Sequence, residues 1–151
     1  MPANVREQLN RVVGTWKMQV SVSAAKAIPS AVRVEVITLE WDANGTALLY
    51  QGEGKVIVVG NQQLASPEEF RFSGVFGWDA QGQVVREFGF DNQGGTFFAD
   101  HAITSDAWSS VTTTTSPSSQ GKSDSQVFKR NFTFESADLW ATESKNRLMD
   151  G

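Results

Sequence analysis

Polar and apolar residues alternate with a period of two along most of this chain. In residues 70–95, FRFSGVFGWDAQGQVVREFGFDNQGG, Phe70, Phe72, Phe76 and Trp78 occupy alternate positions with Gly74 between them, and Phe88 and Phe90 repeat the spacing. Successive side chains of a strand point to opposite faces, so each run carries one aromatic face. Asp79-Ala80-Gln81-Gly82 and Asp91-Asn92-Gln93-Gly94-Gly95 supply turn chemistry between the runs. This is the pattern of a β-meander. Its aromatic faces, the even-numbered positions of 70–78, 88–90 and 128–134, are expected to turn inward.

The remaining pattern is also mostly strand. Residues 5–13 form the one helical candidate, with Val5, Leu9, Val12 and Val13 near helical spacing, Asn4 as cap and Gly14 as stop. Strands are expected at 15–22, 32–41, 46–51, 55–59, 96–103, 108–115, 125–134 and 139–146. Gly52-Glu53-Gly54 interrupts the third of these, and loops fall at 24–31, 61–68 and 116–124. Regularly spaced short strands indicate a sandwich or a barrel. Sequential order and short connections favour an all-β, up-and-down antiparallel barrel of about 8–10 strands with a short N-terminal helix.

Composition narrows the partners. A chain of 151 residues suits one domain, and 40% hydrophobic with 20% charged residues is a globular balance. A net charge of −4 offers no basic footprint, so neither nucleic acid nor an anionic membrane surface is an expected partner. No cysteine is present, which removes thiolate nucleophiles and cysteine metal sites. The N-terminus lacks an apolar signal core, so the default expectation is a cytoplasmic protein. Ten Phe and five Trp can fill or line a sizeable interior. Gly52, Gly54, Gly74 and Gly89 within or beside strands leave space or permit bends.

Few residues carry chemistry. His101, the one histidine, shares a strand face with Phe97, Ala99 and Ile103. It is read as a hydrogen-bonded rim residue, against the sharper readings of a haem or metal ligand or a general base. Asp100, Asp106, Glu87 and Asp91 surround it in sequence, but Asp91 and Asp106 fall at turns and Glu87, opposite Phe88, is expected in solvent. No metal-ligand spacing or catalytic triad order is present, and no cofactor is specified. Arg130 lies among Phe128 and Phe132, either as an interior anion-binding group or stacked on a tryptophan.

Several of these features resemble a known family. Gly14-Thr15-Trp16 after a short helix looks like the opening of the lipocalin (calycin) fold. It is followed by Gly52-Glu53-Gly54, Gly77-Trp78-Asp79, Phe90 to Gly95, Asp106 with Trp108, and Arg130 with Phe134. That ordered set is similar to the uncharacterised lipocalin-like family DUF1579. The resemblance implies a calycin-like barrel with an interior cavity and no known reaction. It also assigns Arg130 to Trp16 as a pair closing the barrel end.

The reading adopted is a module that binds a small apolar or amphipathic molecule in an aromatic interior. Tyr50, Phe72, Phe76, Phe88, His101, Arg130, Phe132 and Trp140 are the candidate lining, and no residue is assigned as catalytic. The alternatives are a barrel enzyme of isomerase, cyclase or hydrolase type, using His101 with Asp100 or Asp106, and a non-catalytic interaction domain that dimerises through an exposed strand face. A filled interior beneath an apolar outer patch would favour the last.

Overall fold

The computed structural model describes residues 1–22, 30–105, 107–117, 123–136 and 139–150, with side chains described outside 21–22, 123–124 and 134–150. The expected loops at 24–31 and 116–124 therefore lie largely outside the described residues.

A helix, α1 (Ala3–Asn10), precedes nine strands. These are β1 (Gly14–Val22), β2 (Ala31–Trp41), β3 (Ala47–Val59), β4 (Gln62–Asp79), β5 (Val84–Asp91), β6 (Thr96–Ile103), β7 (Trp108–Pro117), β8 (Ser123–Ser136) and β9 (Leu139–Asp150). Each strand pairs antiparallel with the next, in the order β1 to β9, and the sheet curls into a half-barrel. The up-and-down expectation holds. Among the described residues no ladder joins β9 to β1.

Two expected interruptions are continuous strand. The hairpin from β3 to β4 turns in two residues, Gly60-Asn61, between paired Val59 and Gln62, with Gly60 at φ +60°. Positive φ at the first position is what such tight hairpins demand. The expected loop at 61–68 is instead the start of β4. Val56 pairs with Glu68 and Val58 with Gln63, so 64–67 bulge opposite Ile57. Pro67 sits in that bulge, where its missing N–H leaves no gap in the ladder. Gly52 and Gly54 likewise do not break β3; the rings of Phe72 and Phe70 lie where their side chains would be.

The hairpin turns follow their sequence signatures. Asp42 accepts from the Ala47 N–H at 2.8 Å, Asp79 from the Gln81 N–H at 2.9 Å, and Asp91 from the Gly95 N–H at 2.8 Å. Each carboxylate satisfies donors that the turn leaves unpaired.

At eight residues α1 is too short to persist alone, so its stability comes from packing. It begins two residues earlier than a cap at Asn4 would allow, with Pro2 at the cap, and it ends at Asn10 rather than Val13. Val13 is exposed rather than on the buried stripe. Val5, Leu9 and Val12 pack on Ile37, Leu39, Leu48, Tyr50, Phe76, Val85 and Trp108. Polar tethers fix its angle: Trp16 Nε1 donates to the Val12 carbonyl and Trp41 Nε1 to Asn10 Oδ1, both at 2.8 Å. A cation does lie over a tryptophan at this end: the Arg6 Cζ is 4.5 Å from the Trp41 ring.

The inner face is filled at this end. Gly74 and Gly89 are cross-strand neighbours, and Tyr50 is the neighbour of Gly74 on the other side. The Tyr50 phenol lies over both glycines, and Phe97 also covers Gly89. These glycines hold no empty space. Gly89→Ala is therefore expected to destabilise the protein by about 1–3 kcal/mol in urea unfolding, because a methyl group would overlap two rings. Gly77→Ala, where nothing lies within 4 Å, should change stability by less than about 0.5 kcal/mol. Equal effects would show that Gly89 is not overlaid.

Candidate functional site

Alternation along β5 decides the site. Val85, Glu87 and Gly89 face inward, while Arg86, Phe88 and Phe90 face outward. Phe88 is 51% exposed and Phe90 53%, which corrects the expectation that they line the interior. Glu87, expected in solvent, is buried instead. The polar groups of β3 and β6 outweigh the apolar preference of two phenylalanines.

Those groups form one chain of hydrogen bonds. Tyr50 from β3 donates its hydroxyl to Glu87 Oε1 at 2.9 Å. His101 from β6 meets Glu87 Oε2 through Nε2 at 2.9 Å. Trp108 from β7 donates its indole N–H to His101 Nδ1 at 2.9 Å. An indole N–H only donates, so Nδ1 accepts and Nε2 carries the imidazole proton toward the carboxylate. Burial pushes the Glu87 carboxyl up, but the hydrogen bond from His101 and the charge that ring carries when protonated, with the positive charge of Arg130 and the Tyr50 hydroxyl, outweigh it and hold the group below its ordinary value. Burial, with the Glu87 carboxylate beside it, drives the Tyr50 phenol far above its usual range.

This chain fits structural support better than catalysis. Both His101 nitrogens are engaged, and the ring is 1% exposed and packed between Phe76, Trp108 and Phe132. Its carboxylate partner is Glu87, not Asp100. Asp100 projects outward, 3.3 Å from Arg86. Asp106 lies outside the described residues.

A second cluster occupies the same level of the half-barrel. Glu35 from β2 is buried, its side chain 7% exposed, and accepts no hydrogen bond among the described residues. Its one charged contact is Arg33 Nε at 3.0 Å, off the axis a hydrogen bond needs. Burial pushes the Glu35 carboxyl up despite the opposing charges of Arg33 and Arg130. Arg130 from β8 projects inward, its Cζ 5.4 Å from the Phe128 ring and 5.9 Å from Phe132. The rings it lies against are these two rather than Trp16, which corrects the expected pair. No carboxylate lies within 4.0 Å of the Arg130 guanidinium among the described residues, yet its charge acts on Glu35, Glu87 and Tyr50.

These polar residues form a layer across the inner face. On the α1 side Leu39, Leu48, Phe76, Val85 and Trp108 are buried. On the far side Met18, Arg33, Phe70, Phe72 and Phe97 are only half-buried. Of the expected lining, Tyr50, Phe72, Phe76, His101, Arg130 and Phe132 share the inner face, Phe88 does not, and the Trp140 side chain lies outside the described residues. Glu35, Glu87 and Trp108 complete the site. The signal for Glu87 was its spacing of two from Val85 and Gly89, the latter beside Gly74. For Glu35, flanked on both sides by β-branched residues, the sequence held no such signal.

The outer face carries its own apolar row. Leu49, Val75, Phe88 and Phe98 are successive cross-strand neighbours. A trough of about 400 Å³ runs along Leu49, Val75, Phe88 and Phe90. A second cavity, of about 650 Å³, is lined by Lys17, Glu53, Lys55 and Arg71 together with Met18, Glu35 and Phe70 of the inner face.

No protein-family model matches this chain, and neither a curated protein nor a solved structure does.

The two buried carboxyls give opposite pH signatures. Glu87 has a lowered folded value, so its stabilisation is present above the ordinary carboxylate value of about 4.3 and is lost as pH falls through the folded value. Glu35 has a raised value, so its contribution is present below about 4.3 and is lost as pH rises through the folded value. Urea unfolding from neutral pH to about pH 3 should thus show a flatter acid loss for Glu87→Gln and a steeper one for Glu35→Gln, each against wild type. Parallel curves would refute the assignment.

Proposed function

We propose that the protein binds a small, largely apolar molecule on the far half of its inner face. One observation carries the reading: half-buried Phe70, Phe72 and Phe97 share the inner face with an inward Arg130 that has no carboxylate within ion-pairing distance among the described residues. Half-buried aromatic surface around a few convergent polar groups is the usual make-up of a ligand site. The packed half beneath α1 supplies the rigid floor, and entry runs between β1 and β9, which no ladder joins among the described residues. A lipocalin-like relationship accords with this reading. So does a role without catalysis, since the His101 chain has no free acid or base.

The row Leu49, Val75, Phe88 and Phe98 supports a second reading, an interaction domain that self-associates through its outer face. One set of measurements separates the two. Apolar dyes and fatty acids should quench the tryptophan fluorescence in a saturable way. Phe72→Ala should weaken that binding at least about ten-fold, whereas Phe88→Lys should leave it unchanged. Loss of binding in Phe88→Lys alone would move the ligand to the outer trough. A wild-type dimer in sedimentation that Phe88→Lys converts to monomer, with no saturable quenching, would replace the first reading with the second.

A further inference from the structure

The outer face carries a charge pattern that bears on what covers it, an inference that rests on the self-association reading above. On that face Glu53 and Lys55 of β3 stand directly opposite Arg71 and Glu69 of β4. All four residues are exposed. The signs therefore alternate along each strand and across the pair. Lys55 meets Glu69 at 2.8 Å, while Glu53 and Arg71 have no opposite charge within 4.0 Å among the described residues.

A square of alternating charge is complementary to itself. Consider a second copy turned over by a two-fold axis that runs between β3 and β4 and parallel to them. Its Glu53 comes over Arg71 and its Lys55 over Glu69, so that opposite charges meet at all four positions. Self-complementarity of this kind is what a two-fold interface requires, and charge matching fixes its register.

The apolar part of the face selects the same axis. The trough of about 400 Å³ has Phe88 and Phe90 of β5 as one wall and Thr38 and Glu40 of β2 as the other, with Ser73 between them. β2 and β5 flank the β3–β4 pair, one strand to either side. The same rotation therefore lays the phenylalanine wall of one copy on the β2 wall of the other, twice over by symmetry. Two rings that are 51% and 53% exposed are thereby taken from water. A two-fold axis across the strands would also match the charges, pairing Glu53 with Lys55 and Arg71 with Glu69. It would carry Phe88 and Phe90 past Asp91, where β5 ends, and leave them uncovered. The outer face of a half-barrel is convex and touches its copy over few strands, and β2 to β5 hold both the charge square and the trough.

We propose that a second copy of this chain covers the outer face, in a dimer whose two-fold axis runs along the β3–β4 boundary, with Glu53 against Arg71 of the second copy and Phe88 and Phe90 against its β2.

Sedimentation velocity across a range of concentrations tests this arrangement. The wild type should show a monomer–dimer equilibrium that weakens with added salt. Glu53→Arg and Arg71→Glu should each weaken the dimer at least about ten-fold. An equimolar mixture of these two variants should recover it, because each supplies the charge that the other has lost. Glu53→Arg mixed with Lys55→Glu should not recover it. Circular dichroism establishes that each variant is folded. Recovery only in the mixture with Lys55→Glu would overturn the proposed axis in favour of one across the strands, and recovery in neither mixture would overturn the charge pairing. A dimer that Phe88→Lys dissolves and Glu53→Arg leaves intact would overturn this arrangement while keeping the outer-face reading. A dimer that neither change affects, or a monomer at every concentration, would overturn both.

Discussion

The rest of the inner face is arranged around the burial of the Glu87 carboxylate. A carboxylate removed from water must be given donors, because the free energy of an unpartnered buried charge would unfold the surrounding sheet. Here the donors come from both directions along the sheet, the Tyr50 hydroxyl from β3 and the His101 Nε2–H from β6. Meeting that demand sets the face of β5, and with it the outward turn of Phe88 and Phe90. It sets the tautomer of His101, which then has one acceptor nitrogen left for the Trp108 indole. It also explains two adjacent glycines. The Tyr50 phenol must cross Gly74 and Gly89 to reach β5, and any side chain there would block its path.

The polar layer divides the half-barrel by packing. Beneath α1 the rings of Tyr50, Phe76, His101, Trp108 and Phe132 are in mutual contact, at centroid distances from 4.7 to 5.9 Å. That half resembles an ordinary protein core. Beyond the layer the same strands continue with half-buried aromatic residues and two arginines. A site that keeps Glu35 without hydrogen bonds gives up stability there, and such concessions concentrate where a protein meets something else.

Much of the architecture was legible in the sequence. Period-two alternation and aspartate-opened turns gave the strand order, and Gly14-Thr15-Trp16 marked the start of β1, although the helix before it ends at Asn10 rather than Val13. The site was less legible, for a physical reason. On β5 the two faces read Val-x-Glu-x-Gly and Phe-x-Phe, and hydrophobicity alone sends the phenylalanines inward. What reverses the choice is a pair of hydrogen bonds from residues 37 positions before and 14 positions after Glu87, which no local pattern encodes. The 61–68 segment escapes a local reading for a similar reason. Pro67 signals a loop, yet a bulge absorbs it because β3 continues opposite. The Arg130–Trp16 pair was taken from a family resemblance rather than from spacing; Arg130 instead lies against Phe128 and Phe132, its neighbours at a spacing of two on β8.

The Tyr50 crossing also constrains how the sequence can drift. Replacing Tyr50 by phenylalanine strands one carboxylate oxygen, and enlarging Gly74 or Gly89 pushes the phenol off its track. Neutralising Glu87 leaves both the phenol and the imidazole facing an altered acceptor. None of the four positions can change far while the others stay fixed. Among diverging copies of this chain, positions 50, 74, 87 and 89 are therefore expected to vary as a set. A lineage that abandons the set would change all four and be free to turn the phenylalanines of β5 inward.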